Sequence, residues 1–524
     1  MKEKVIVTTV LTMLLVGAML SILPTLGFDG QIKIGIIGPV GLTHYSPGMK
    51  EAAEMARDEI NTAGGVHLSD GDYEIVLEFG NDHTLPPPGG DPDAAALEME
   101  RLIDVEGCEV VIGGFRTECV ETMIEVAADY GIPFIINGAS TDQLITDTVG
   151  ADYERYKYLF RINPVNSTVL FQTIAANLRY YIIPQIMLPL YGHDLDGNAA
   201  TPDQVRIAVL TEDLEWTLLM HTYLTNPAIY PGVLGPNVNV TYSGRIPDGT
   251  MDCSPWLQGV KDNNCRLMIH VFSGVTGIPL MVQWKAMNVS AVPVGINVLS
   301  QVGTNWATTG GACNYETFLG FSGTRSPIVP GVTEVFWDNF VALTGEWPVY
   351  TAWGAYDGVY MVAEAMEATG TKDKDALLAY LEDPGYERQG LNGKFRFTSL
   401  HDVFCNEVGP TWTQGFVRAM LVQWQATKME VVIPIDQTYT KAFVLPYWEY
   451  PHTCDTNYDA KVDIKDLVLL IKAYGTYPCH PRWTLRYDVN PAAEDSPPWP
   501  FKVDIKDLVL LIKEYGTYWS LPLP

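Results

Sequence analysis

The chain has 524 residues, with 62 acidic against 33 basic side chains and a formal net charge of -29. That charge excludes a nucleic-acid binder, because a phosphate backbone must be neutralised by Lys and Arg, and it fits a soluble protein that repels its own kind. A hydrophobic content of 47% supports a large core, and the length allows two or three domains.

Lys2 and Lys4 precede an almost unbroken apolar run from Val5 to Leu23, which ends at Pro24-Thr25-Leu26-Gly27. Residues 1–27 therefore read as an export signal. The run is also long enough to span a bilayer, so it is either cleaved or kept as a single anchor. In both cases the basic flank stays inside and the remainder is exported. No later segment reads as transmembrane.

Ile32 to Ile37 is a strand that breaks at Gly38-Pro39 into the loop Gly41 to Gly48. A helix follows with Ala52, Ala53, Met55, Ala56 and Ile60 inward, capped by Gly64-Gly65. Tyr73 to Phe79 alternates as a strand, Thr84 to Asp93 is an exposed proline-rich loop, and Ala94 to Ile103 is a helix. The next unit organises the rest. Val110-Val111-Ile112 breaks at Gly113-Gly114, and Val120, Met123, Ile124, Ala127 and Ala128 mark one face of a helix. Phe134-Ile135-Ile136 then breaks into Asn137-Gly138-Ala139-Ser140-Thr141. Continuous apolar strands alternating with helices predict a parallel sheet covered on both faces. In such sheets the loops at the carboxyl ends of neighbouring strands line a ligand crevice, and hydroxyls beside a helix start suit an anion. Further on, Val205 to Leu210 and Leu267 to Phe272 are strand runs, and His193 to Pro202 is a surface insertion.

Eight cysteines, an even number without a CxxC pair, fit an oxidising compartment. Cys253 with Cys265 and Cys454 with Cys479 are the near pairs to test as disulfides. Asn166, Asn239 and Asn288 lie in glycosylation sequons.

The segments Ile34-Gly35-Ile36-Ile37-Gly38-Pro39, Asp58 to Gly65 and Gly131-Ile132-Pro133-Phe134 resemble the type I periplasmic binding proteins. The branch it looks most like serves branched-chain amino-acid transporters. Phe160-Arg161, Tyr350 to Gly370, Gly390 to Gly393, Phe395-Arg396-Phe397 and Val422 to Gln425 extend the resemblance in consistent order from Gln31 to Pro446. The resemblance implies an α/β clamp of two lobes joined by three crossovers, with parallel sheets and helices on both faces. The first lobe would take residues 31–162 and 321–400, and the second 163–320 and 401–446. The implied ligand residues are Tyr45 as an aromatic wall, Thr117 as a hydroxyl after the third strand, and Gly138, Ala139 and Ser140 as the grip on carboxylate and amine. Phe272 and Ser273 belong to the loop that supplies a wall on closure. Asn297 stands where amino-acid-binding relatives present an acid to the ligand ammonium. Losing that charged partner is expensive. Arg116 either holds a carboxylate bidentately or pairs with Glu118 or Glu121.

The tail is a separate unit. Lys461 to Tyr477 recurs at Lys502 to Tyr518 with one difference, Ala473 against Glu514. Asp455, Asn457, Asp459, Asp463 and Asp466 have calcium-loop spacing, with a backbone carbonyl from Lys461. The second copy keeps Asp488, Asn490, Asp504 and Asp507, with Glu494 or Asp495 replacing a missing ligand across an insertion. Residues 452–520 resemble a type I dockerin, a small all-α module whose cofactor is calcium. Ala460 replaces the usual turn glycine, and Ile464-Lys465 and Ile505-Lys506 replace the hydroxyl pair of scaffold-binding dockerins. The unit is thus either a structural or surface-attachment module, or a dock for a cohesin-like partner. The chain shows no HExxH, GxSxG, P-loop or GxGxxG, so no enzyme is expected. The resemblance implies an extracytoplasmic protein that captures a small amino acid, amide or carboxylate for an ABC permease. The alternatives are a receptor-type sensor or a surface-docked binder.

Overall fold

The computed structural model describes residues 27–39, 48–85, 89–188, 205–320, 324–405, 415–417, 419–435 and 437–446. Tyr45, the export segment, the 193–202 insertion, Cys454, Cys479 and both calcium loops lie outside them.

The first sheet uses β1 (Gly30–Gly38), β2 (Val66–Leu68), β3 (Gly71–Asn81), β4 (Val110–Gly113), β5 (Phe134–Asn137) and β6 (Leu159–Asn163). Their order is β2-β3-β1-β4-β5-β6, parallel throughout except for the β2–β3 hairpin. The apolar runs are continuous because both faces are covered, and the two-residue strand period splits them between two cores. Ile32, Ile34, Ile36, Val110, Ile112 and Ile135 pack against Ala53 and Ala56 of the helix Met49–Ala63, and against Ala355 and Val359 of the helix Tyr350–Thr369. Ile37, Val111, Phe134 and Ile136 face the opposite way, onto Val120, Met123 and Ile124 of the helix Thr117–Tyr130.

The second sheet uses β7 (Val205–Glu212), β8 (Val238–Ile246), β9 (Leu267–Phe272), β10 (Val292–Asn297) and β11 (Thr317–Gly320). After the short hairpin of β12 (Arg388–Gly390) and β13 (Gly393–Phe395), the chain returns to this sheet as β14 (Met420–Gln425) and β15 (Lys428–Ile433). The order is β15-β14-β11-β10-β9-β7-β8, with β14 and β15 antiparallel at one edge. The chain therefore passes between the sheets after β6, after β11 and between β13 and β14. The α/β class with parallel, doubly covered sheets is the one that the apolar runs predict.

One predicted pairing is corrected. Cys253 and Cys265 are separate buried thiols, at opposite ends of the nine-residue helix Ser254–Asp262. Nine residues at 1.5 Å rise hold the ends about 13 Å apart, beyond the roughly 7 Å that a disulfide tolerates between Cα atoms. Among the sequons, Asn166 caps the helix Ser167–Asn177, its Oδ1 accepting from Val169 N at 2.9 Å while its Nδ2 donates to Asp402 at 3.2 Å. A glycan on that nitrogen would break the second contact.

Candidate functional site

The carboxyl ends of β4 and β5 face those of β7, β9 and β10 across a cavity of about 50 Å³. Its first-lobe wall is Phe115, Arg116, Thr117, Gly138, Ala139, Ser140 and Tyr350. Pro164 and Leu170 come from the first crossover. Trp216, Ser273, Ile296, Val298, Gln301 and Leu319 close it from the second sheet's side.

Local chain geometry explains the first wall. Gly113 and Gly114 let the chain turn tightly off β4 into the helix Thr117–Tyr130, whose N-cap Arg116 is extended and supplies no side-chain cap. No side chain caps the first N–H groups of that helix, which carry the positive end of its dipole, and its N-cap Arg116 and first residue Thr117 line the cavity. Gly138 brings the neighbouring loop close, since a Cβ there would lie 2.3 Å from Gly114 O. The Tyr350 hydroxyl donates to Gly138 O at 3.1 Å, and Thr117 Oγ1 meets Thr141 Oγ1 at 2.5 Å. Ser167 N and Oγ both donate to Ser140 O, at 2.6 and 3.0 Å, which ties this loop to the first crossover. On the far wall Trp216 Nε1 donates to Ser273 Oγ at 3.1 Å.

Arg116 is 2% exposed, and its Nη1 lies 2.8 Å from Asp248 Oδ2, which is wholly buried beyond the end of β8. Neither Glu118 nor Glu121 is its partner; Glu118 Oε1 instead accepts the Glu215 N–H at 3.3 Å. Beside Asp248, Glu212 accepts from Ser273 N and Oγ at 2.8 and 2.9 Å and from Gly274 N at 3.0 Å. Burial first, and then the Asp248 carboxylate, push the Glu212 carboxyl up to about 7. Asp82, fully buried below Phe115, is pushed up to about 6 by burial, against the pull of N–H donors from Thr84 and Phe115 and of the Arg116 charge.

Of the residues the sequence singled out, the structure brings Arg116, Thr117, Gly138, Ala139, Ser140 and Ser273 together around the cavity. Two others are turned away from it. Phe272 is packed in the core beneath the second sheet with Trp284. Asn297 is 2% exposed and donates to Glu316 Oε1 at 2.8 Å, within a buried group that includes His270 and Ser300. Strand parity is the reason: Ile296 and Val298 take the cavity face, so Asn297 between them takes the other. Sequence reasoning missed Trp216, Tyr350, Leu170 and Leu319, and the carboxylates Glu212 and Asp248 behind the wall. Strand-end position is the signal that marks Glu212, the last residue of β7.

A roomier cavity of about 330 Å³ lies on the first lobe, between the helix Tyr350–Thr369 and β12. Its polar groups are already matched to one another. The Tyr356 and Tyr360 hydroxyls donate to Glu59 Oε2 at 2.5 and 2.8 Å, and Arg388 holds Asp357 at 2.7 Å and Glu364 at 2.8 Å.

A family model of periplasmic binding proteins matches residues 31–403. No curated protein matches the chain. Among solved structures it is similar to a putative branched-chain amino acid ABC transporter protein from Silicibacter pomeroyi, at 17% identity, TM-score 0.61, and coverage of 80% of this chain and 100% of that one. It is also similar to the branched-chain amino acid substrate-binding protein LivJ from Streptococcus pneumoniae in complex with isoleucine, at 18% identity, TM-score 0.56, covering 77% of this chain and 100% of that one. A solute-binding protein from R. palustris in complex with benzoate shares 16% identity at TM-score 0.56, over 77% of this chain and 96% of that one. At these identities the likeness carries the fold.

Proposed function

The chain belongs to the periplasmic binding protein family, and from that premise we propose that it captures a small solute between its lobes outside the cytoplasm and hands it to an ABC importer. One observation carries the reading: an open helix N-terminus with the Thr117 and Ser140 hydroxyls stands opposite an apolar wall that includes Trp216, Ile296 and Leu319. Helix N–H groups and hydroxyls suit a carboxylate. The wall suits a branched or aromatic body of the kind that small-molecule sites enclose.

The same lining bears on the ligand class. Arg116 is the one charged side chain among the lining residues named for the cavity, and no acid is among them to face an ammonium. Of the two kinds of ligand in the similar structures, isoleucine and benzoate, the carboxylate without an amine is the better match. The test is a thermal-shift and calorimetric screen of the exported chain against benzoate, branched carboxylates and the corresponding amino acids. A ligand at 100 times its Kd adds about 2.7 kcal/mol. Shifts with the carboxylates and none with the amino acids support the proposal. A shift confined to leucine-like amino acids overturns the ligand class, and none with any solute overturns the function.

In the same proposal the duplicated tail binds calcium through Asp455, Asn457, Asp459, Asp463 and Asp466, with Asp488, Asn490, Asp504 and Asp507 in the second copy. It then attaches the clamp to a surface partner. Calorimetry with calcium on the full chain, before and after Asp455→Ala, reads this directly: equal binding by both sinks the first loop.

A further inference from the structure

Three strand ends of the second lobe converge on one point. β7 ends at Glu212, β8 leads to Asp248, and β9 leads to Ser273 and Gly274, in the sheet order β9-β7-β8. A Cβ on Gly274 would sit 2.3 Å from Asp248 Oδ1, 2.7 Å from Glu212 Oε1 and 3.2 Å from Arg116 Nη2. A glycine is thus what lets two carboxylates and a guanidinium from the other lobe meet. Glu212 is spent on the loop N–H groups of Ser273 and Gly274. Asp248 takes no well-aligned hydrogen bond, and neither do Nε, Nη1 or Nη2 of Arg116, although the two groups are 2.8 Å apart and buried. Two carboxylates buried side by side repel unless a cation or a proton joins them. Here the cation comes across the cleft.

We propose that Glu212 and Asp248 are positioning residues of the cleft: with Gly274 they form a seat on the second lobe that receives Arg116 of the first, and hold its guanidinium at the wall of the ligand cavity. The seat is not itself part of that wall, so it acts on solute through Arg116. Its assignment rests on the cleft being the solute site, but its effect on closure does not need a solute. The charged groups around it are Arg116, Asp82 and Glu118 on the first lobe, and Asp213 with Arg245, paired at 2.7 Å, on the second.

The experiment is a distance measurement between probes attached one to each lobe of the full chain, without solute, from pH 5 to 8 and at low and high salt. In the wild type the closed population falls as pH rises, because ionising the second carboxylate leaves the seat with one charge too many for Arg116. Asp248→Asn lowers the closed population at neutral pH by about tenfold or more, the scale for breaking one partner of a buried ion pair, and flattens the pH profile. Gly274→Ala keeps every charge but blocks their convergence, and gives the same loss of closure. Arg116→Met added to Asp248→Asn costs little more, since the two act through one contact. Thermal midpoints of all variants separate closure from folding. Unchanged closure in Asp248→Asn and Gly274→Ala overturns the seat, as do Arg116→Met and Asp248→Asn losses that simply add. A normal closure response with no solute bound in any screen would sink the solute reading and leave the seat standing.

Discussion

Among the described residues two guanidinium groups are buried beside carboxylates, and they differ in how far hydrogen bonds surround them. Arg161, at the end of β6, lies 2.9 Å from Asp402 in the last crossover, and its Nη2 donates to Thr141 O at 2.7 Å. Asp402 also takes the Thr146 hydroxyl and the Asn166 amide, and Arg161 N donates to His401 O at 3.0 Å. Arg116 and Asp248 approach as closely, and in both pairs the two contacting atoms are poorly aligned for a hydrogen bond, but only Arg161 and Asp402 have other side-chain atoms that are hydrogen-bonded. A buried ion pair contributes only when hydrogen bonds replace the lost water. The meshed pair sits where the first and last crossovers meet. The bare pair spans two lobes and can be made and unmade.

The largest test of this contrast is Asp402→Ala. It strands the Arg161 charge in the interior and removes the acceptor shared with Asn166, so global stability falls by about 3–5 kcal/mol, read by denaturant unfolding. A loss below about 1 kcal/mol would put the two pairs in the same class. Next comes Asp82. Its folded carboxyl is raised from 3.8 to about 6, so the stability tied to its neutral form is fully present below pH 3.8 and lost as pH rises through 6. That shift corresponds to about 3 kcal/mol. Asp82→Asn should flatten the fall, and an unchanged pH–stability curve would count against it. Asn166→Ala removes a helix cap at the first crossover and one donor to Asp402, for about 1–2 kcal/mol. Asn166→Ser, which can cap but not reach, should recover only part. The smallest effect is on the surface: Arg325 and Asp338 pair at 2.6 Å but are more than half exposed, so Asp338→Asn should leave the unfolding midpoint where it was.

Much of the first lobe was legible because its strands are buried on both faces and so read as unbroken apolar runs: β1, β4 and β5, and in the second lobe β7 and β9. β8 escaped because it is an edge strand, half exposed along most of its length, and β2 because three residues carry no period. The small residues of the cavity wall, Thr117, Gly138 and Ser140, could be found because a loop following a buried strand is a local pattern. Phe272 and Asn297 went the other way. Both are the last residues of strands whose following loops line the cavity, and side-chain parity, which a single residue reverses, turned them inward. Arg116 was visible as a charge at the crevice, with a ligand carboxylate, Glu118 or Glu121 as the candidate partners, and the structure gives it none of these but Asp248. Its partner comes from a different sheet, which no spacing along the chain reports.

The thiols have a further consequence. Burial pushes Cys108, Cys119, Cys253 and Cys313 up to about 12, so each of them is a thiolate in only about one molecule in 10⁵ near pH 7. At these four an oxidant outside the cell would find little to attack while the chain is folded, whereas Cys405 is only partly buried. Cys108 and Cys119 sit in the core beneath the first sheet, Cys253 and Cys265 in the core beneath the second. Each lobe thus carries its own dormant chemical clock, started only when that lobe comes apart. The order in which the cysteines take up an alkylating reagent in rising denaturant would report which half of the clamp gives way first.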